Sequence, residues 1–201
     1  MSTEILVNVT TQETRVALVE SGLVQEVFVQ RESRYSVVGN LYKGVVRRVL
    51  PGMQAAFVDV GLERTAFLHA HDIIPSDEAS VGEEPAINEL VHEGQDVLVQ
   101  VVKDPLGTKG ARLTTQLSIP SRYLVLLPYS DHVGISARIE DDGERGRLKT
   151  ALEQVLAEEQ TTTGFIVRTA GEGASLEALR SDVQFLTKLW DLIRRSAKDA
   201  P

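Results

Sequence analysis

Cysteine is absent from this chain of 201 residues. Its absence excludes disulfides, thiol nucleophiles and cysteine-based zinc sites within these residues, and it is compatible with the cytoplasm. No apolar run approaches the length of a membrane span. The opening MSTEILVNV lacks the charged–apolar–small order of a signal peptide and goes straight into strand-like alternation, so no membrane partner is expected. Positive charge is also short, with 29 acidic against 21 basic side chains and a net charge of −8. That balance argues against indiscriminate binding of duplex nucleic acid. Acids concentrate in residues 72–93 and 140–159, however, which leaves a strand-rich stretch between and before them carrying much of the positive charge. Aromatics are scarce too, at five Phe, four Tyr and one Trp, so their positions carry information.

The patterning divides the chain into three parts. Residues 5–9, 15–20 and 23–30 read as strands joined by the polar turns TTQET and ESG. They are too few to bury their own sheet face, and so are expected to complete a sheet built elsewhere. Residues 40–115 hold five short strands, with turns at Pro51-Gly52, Gly61 and Gly107. The acidic stretch SDEASVGEEP after the third strand is expected to be a mobile loop, followed by a short helical turn over residues 87–92. Five short antiparallel strands with an excursion after the third suggest an OB-type barrel. Beyond Pro120, residues 123–127 and 164–169 read as strands and residues 147–159 as helix. Ser175 would cap a long helix running to about Lys198, with Leu176, Leu179, Val183, Leu186, Trp190 and Ile193 on one buried stripe. The expected class is therefore α+β. The unpartnered opening strands, and an ending at Ala200-Pro201 without closure, suggest a fragment.

Within the five-strand block, Phe57 and Phe67 lie on neighbouring strands among Lys43, Arg47, Arg48 and Arg64. Ala56, Val58 and Val60 share one phase of their strand and Phe57 the other. Ala66 and Leu68 likewise oppose Phe67. Small and aliphatic residues thus fill one face and leave the rings for the opposite one. Rings set among cations bind unpaired bases by stacking while phosphates meet the charges. On spacing alone, ordinary barrel core is an equal reading of both rings.

A second constellation lies in FIVRTAGEGAS, residues 165–175. A strand ending in Arg168-Thr169, a bend at Gly171 and Gly173 and a helix N-terminus would suit one anionic group. Forked guanidinium donors, a hydroxyl and backbone N–H groups would supply it. A plain strand-to-helix turn relieved by glycine is the competing reading. Gly107-Thr108-Lys109-Gly110 lacks the order of a nucleotide phosphate loop. Lys109, with Lys103 and Arg112, instead extends the basic side of the barrel, or is solvated loop. His69-x-His71-Asp72 lacks a clear third ligand, so no metal site is expected. No nucleophile–base–carboxylate set stands in a recognisable motif, and no catalytic residue is assigned within the chain.

Several of these segments together carry a family likeness. ETRVALVE, VGNLYKGVVRRVLPGMQAAFVDVGLERTAFLHAHDI, VKDPLGTKGARLTT, PSRYLVLLP and GFIVRTAGEGAS resemble, in order and over essentially the whole chain, the N-terminal portion of the ribonuclease E/G family, on its ribonuclease G side. The resemblance implies three regions: residues 1–37 as the first strands of a split RNase H-like domain, 38–120 as an S1-type OB-fold domain and 121–201 as a 5′ sensor. It implies endonucleolytic cleavage of single-stranded A/U-rich RNA, favoured by a 5′ monophosphate, in rRNA maturation and mRNA decay in the bacterial cytoplasm. Phe57 and Phe67 match base-stacking positions, and Lys43, Lys103 and Lys109 match basic channel positions, with Arg112 beside them. Arg168 and Thr169 match the pair that grips the 5′ phosphate, Val125 a backbone contact beside it, and Arg138 a nearby cation. Two departures stand out. Ala137 replaces a sensor arginine of the ribonuclease E branch, and Val60 a tyrosine on its barrel face. The family's catalytic aspartates with their magnesium, and the zinc-binding cysteines of its dimer contact, would lie downstream, so these residues alone are expected to be inactive. The alternative reading is a non-catalytic S1-type RNA-binding or ribosome-associated protein.

Overall fold

Alternating β-branched and polar residues over the first thirty positions produce three antiparallel strands: β1 (Thr3–Val9), β2 (Glu13–Glu20) and β3 (Leu23–Arg31), in the order β1-β2-β3. The two-residue turn Ser21-Gly22 takes positive φ at both positions, the form that matches strand twist. Thr10 closes the other turn, its hydroxyl accepting the Glu13 N–H at 3.1 Å. Among the described residues of this sheet only Val19 is buried, while Ile5, Val7, Val9, Leu23 and Val24 each expose 60% or more of their surface. The computed structural model describes residues 2–31, 36–75 and 85–200. The loop expected at SDEASVGEEP therefore lies, apart from Pro85, outside the described residues. Contacts divide the chain into one unit of residues 1–37 and another of residues 38–201.

The second unit begins with the five strands read from the sequence, β4 (Leu41–Leu50), β5 (Ala55–Asp59), β6 (Ala66–His69), β7 (Asp96–Lys103) and β8 (Arg112–Thr114). They close into an OB-like barrel in the order β4-β5-β6-β8-β7, with β6 and β8 parallel and the other defined pairs antiparallel. Its interior is small and aliphatic. Ala56, Val58, Ala66, Leu68, Val99 and Leu113 are fully buried. Gly44 is required there, because a Cβ on it would come within 2.7 Å of Val58 and 2.8 Å of Val60. Between β6 and β7 a single helical turn, α1 (Ile87–Leu90), buries Ile87 and is tied to the barrel by Gln54, whose side chain accepts the Ile87 N–H at 2.9 Å.

Residues after the barrel form a four-stranded sheet from β9 (Ile119–Pro120), β10 (Leu124–Leu127), β11 (Val133–Ile135) and β12 (Gly164–Val167), in the order β11-β12-β10-β9. Two helices pack with it, α2 (Asp142–Glu158) and α3 (Leu176–Asp199), around a core that includes Leu124, Leu126, Leu148, Leu152, Phe165 and Leu186. Leu41 of β4 and Leu98 of β7 pack against that core. The expected long helix forms, with Ser175 capping the Ala178 N–H at 3.2 Å and Trp190 buried edge-on to Tyr129. Helix α2 begins ahead of the position expected from apolar periodicity. Asp141 accepts the Glu144 N–H at 2.6 Å, and that cap carries the helix through Gly143 and Gly146 despite their poor propensity. Strands β9 and β11 were not anticipated. The architecture is α+β, and among the described residues no helix is long and apolar enough to cross a membrane.

Candidate nucleic-acid interface

The registers of four strand pairs place five side chains in one row around the barrel. Arg48 of β4 pairs with Phe57 of β5, Phe57 with Phe67 of β6, Phe67 with Arg112 of β8, and Arg112 with Lys103 of β7. Directly paired residues share a sheet face, so two rings sit side by side and cations flank them at both ends. The ring centroids are 6.1 Å apart at 71°, an edge-to-face arrangement. Both rings are half-buried, whereas Ala56, Val58, Ala66 and Leu68 of the opposite phase are fully buried. The fold thus resolves the choice left open by spacing: neither ring belongs to the barrel interior. A bulge between Val46 and Arg48 brings Arg48 into register with Phe57. His69, two residues beyond Phe67, continues the ring series at 6.4 Å and borders an open cleft of about 360 Å³ with Met53, Gln54 and His71.

The basic residues around these rings differ in what they already hold. Arg48, Lys103 and Lys109 are exposed. Arg112 is not free, since its Nε and Nη2 donate to Oδ2 of Asp72 at 3.0 and 2.9 Å. Arg47 is paired with Asp59 at 2.9 Å. The Gly61 N–H, and secondarily that guanidinium, hold the Asp59 carboxyl below the usual carboxylate range. Lys43 departs furthest from a solvent-facing cation. It is 20% exposed, lies 3.2 Å from Asp96, and donates to the carbonyl of Ala200 just past α3. Arg64 donates to the Gly107 carbonyl at 2.7 Å, which pins the hairpin carrying Lys109 against the loop before β6. Asp72, the acid beside His69 and His71, is thus engaged by Arg112. Among the described residues no three His, Cys, Asp or Glu side chains gather to hold a metal.

The second constellation sits where β12 runs out beside β10 and β11. Arg168 donates its backbone N–H to the Tyr123 carbonyl at 2.8 Å and a guanidinium N–H to the Ser121 carbonyl. The side chain is exposed, and among the described residues no carboxylate pairs with it. Asp182 of α3 fixes the segment it leans on, accepting from the Ser121 hydroxyl at 2.6 Å and the Tyr123 N–H at 2.7 Å. Arg122 stacks over the Tyr123 ring at 4.9 Å, adding a second cation at this edge. Thr169 is exposed, with its hydroxyl 3.1 Å from that of Ser136. Arg138 is exposed two residues beyond Ser136. Val125 pairs with Ile166, which puts it on the same sheet face as Tyr123 and Arg168.

Four N–H groups of the Gly-rich bend are already spent within the chain. The N–H groups of Gly171, Glu172 and Ala174 donate to the carbonyls of Arg168, Thr169 and Gly171. That of Gly173 donates to Oε1 of Glu144 at 2.7 Å. Glu144 is itself gripped by Arg147 at 2.6 and 2.7 Å. The Arg147 pairing and the Gly173 bond lower its pKa to about 2. A carboxylate of the chain therefore takes the Gly173 N–H of this bend. Gly171 has a packing role, because a Cβ would lie 2.6 Å from Val167 Cγ1.

A model of the Ribonuclease E/G family matches residues 118–201. Ribonuclease G of Salmonella typhimurium (strain SL1344) is 53% identical over 204 residues, covering 98% of this chain. The chain belongs to the ribonuclease E/G family. Ribonuclease G of Haemophilus influenzae is 54% identical over 97% of the chain, and ribonuclease E of Escherichia coli (strain K12) 41% identical over 98%. The chain spans 41% of the length of the Salmonella protein and 19% of that of the Escherichia coli ribonuclease E.

Of the two departures from the ribonuclease E branch, Val60 is corrected by the structure. It is 8% exposed and sits with Val58 over Gly44, so it belongs to the barrel interior and not to the ring-bearing face. Ala137 is exposed between Ser136 and Arg138. Sequence reasoning missed Ser136, Ser121 and Asp182 around Arg168. Ser136 follows β11, a three-residue strand too short for a periodic signal, and Asp182 lies 61 residues from Ser121.

Proposed function

We propose that this chain is the RNA-recognition portion of a ribonuclease G-like endoribonuclease. Its barrel holds single-stranded, A/U-rich RNA, and the site at Arg168 and Thr169 receives a 5′ monophosphate. The observation that carries the reading is the row Arg48–Phe57–Phe67–Arg112–Lys103, two outward rings bracketed by cations on adjacent strands. Rings of this kind stack on any base, while the flanking charges follow the backbone. At the other site, forked guanidinium donors and a hydroxyl suit a terminal phosphate, with Arg138 and Arg122 adding positive potential. Val125 flanks that site on the same sheet face. Binding energy from a remote phosphate positions the scissile bond without taking part in cleavage.

In this reading rRNA precursors and mRNA in the bacterial cytoplasm are the substrates. The whole enzyme would be a dimer in which magnesium would supply an activated water for cleavage and zinc would join subunits, neither held by residues assigned in this chain. In the same reading the chain alone binds RNA without cutting it. Binding of a single-stranded A/U-rich oligoribonucleotide, followed by fluorescence anisotropy, tests the barrel assignment. Phe57→Ala should raise Kd by roughly ten-fold, within the ~1–3 kcal/mol of one stacked base. Unchanged affinity in a folded variant would remove Phe57 from the interface.

A further inference from the structure

Ser136 carries the furthest inference. Its main chain is fixed on both sides: its N–H donates to the Val167 carbonyl at 2.8 Å, and its carbonyl accepts from Arg145 at 2.8 Å. Its hydroxyl oxygen accepts the Arg138 N–H at 3.3 Å and lies 3.1 Å from the Thr169 hydroxyl. We propose that Ser136 is a positioning residue for the 5′-phosphate site, setting the direction in which the Thr169 hydroxyl donates. The inference rests on the reading of Arg168 and Thr169 as that site.

The argument is one of donor and acceptor accounting. A hydroxyl has one proton and two lone pairs. A phosphate monoester oxygen at neutral pH accepts, so Thr169 must spend its proton on the phosphate. The Thr169 oxygen is then left as an acceptor, and Ser136 is the neighbour able to donate to it. Ser136 donates its own proton to that oxygen while one of its lone pairs accepts the Arg138 N–H. The result is a directed chain from the Arg138 N–H through the Ser136 hydroxyl and the Thr169 hydroxyl to the phosphate. Each bond in it polarises the next. The same chain couples the backbone of Arg138 to the site whatever its side chain does, and Ala137, standing beside it, leaves this path intact.

The test compares the binding of 5′-monophosphorylated and 5′-hydroxyl forms of one A/U-rich oligoribonucleotide to the chain. Ser136→Ala should reduce the ratio of the two affinities about five-fold, the scale of one hydrogen bond. Ser136→Thr, which keeps the hydroxyl, should preserve most of the preference. In a Thr169→Val background the Ser136→Ala effect should vanish, because the two groups act in series. An unchanged ratio in Ser136→Ala, or an equal further loss in the Thr169→Val background, would overturn the proposal. Arg168→Ala separates the levels. If it abolishes the preference while Ser136→Ala does not reduce it, the positioning role alone falls. If Arg168→Ala leaves the ratio at the wild-type value, the 5′-end reading falls and takes this inference with it.

Discussion

Lys43 and Phe57 show how differently single residues can be read from sequence. The phase of Phe57 is carried by its immediate neighbours, and alternation of Ala56 and Val58 against Phe57 was enough to point the ring outward. The fate of Lys43 depends on Ala200, 157 residues away, and nothing local signals that contact. Arg112 is similar, its guanidinium taken by Asp72 from 40 residues upstream. Charged side chains are therefore legible as cations but not as available ones. Lys43→Met should cost about 1–2 kcal/mol, because it removes a charge-assisted hydrogen bond from a mostly buried ammonium group. A thermal melt should show a Tm lower by several degrees, while the salt dependence of RNA binding stays as in the parent. A changed salt dependence with unaltered stability would return Lys43 to the RNA-contacting set.

At the scale of elements, α3 was legible because Ser175 caps it and a sustained apolar stripe runs along it, whereas α2 was read only from residue 147 onward. Strands β9 and β11 were not, being two and three residues long. Missing β11 hid the parallel pairing with β12 that carries Ser136 to Thr169. The bend before α3 holds two consequences that arise from its packing against Val167 and its tie to Glu144. Gly171→Ala forces a methyl group against Val167 and should cost about 1–3 kcal/mol, read as a lower Tm. Glu144 ties that bend to α2 and is acid-sensitive in a defined window. Its folded pKa of about 2 lies below the ordinary 4.5, so its contribution is complete above about pH 4.5 and fades as pH falls toward 2. Glu144→Gln should therefore lower stability at neutral pH and flatten the pH dependence of Tm across that interval. An unaltered acid profile would show that the carboxylate does not hold the bend.

The whole molecule is acidic, with a net charge of −8, so its affinity for RNA must come from placement and not from total charge. Among the described residues near the rings, Arg48, Lys103 and Lys109 are exposed cations whose side chains hold no carboxylate or carbonyl of the chain. A single-stranded oligonucleotide neutralising only these should show a slope of log K against log salt of about −2. A slope of about −3.5 would mean that Lys43 and Arg112 leave their partners to meet phosphate. Fold class and the barrel were readable at this scale, because strand count and spacing survive without knowledge of contacts.

The three-stranded sheet of β1, β2 and β3 has a consequence in time as well as in space. It is translated before the barrel, whose last strand ends at Thr114, and at about 5–20 residues per second that strand follows roughly four to sixteen seconds later. During that interval a nascent sheet with one buried hydrophobic side chain, Val19, and open edges on β1 and β3 is a ready template for a neighbouring chain on the same polysome. Synthesis thus exposes this apolar sheet ahead of the barrel, an interval in which holding by a chaperone would matter.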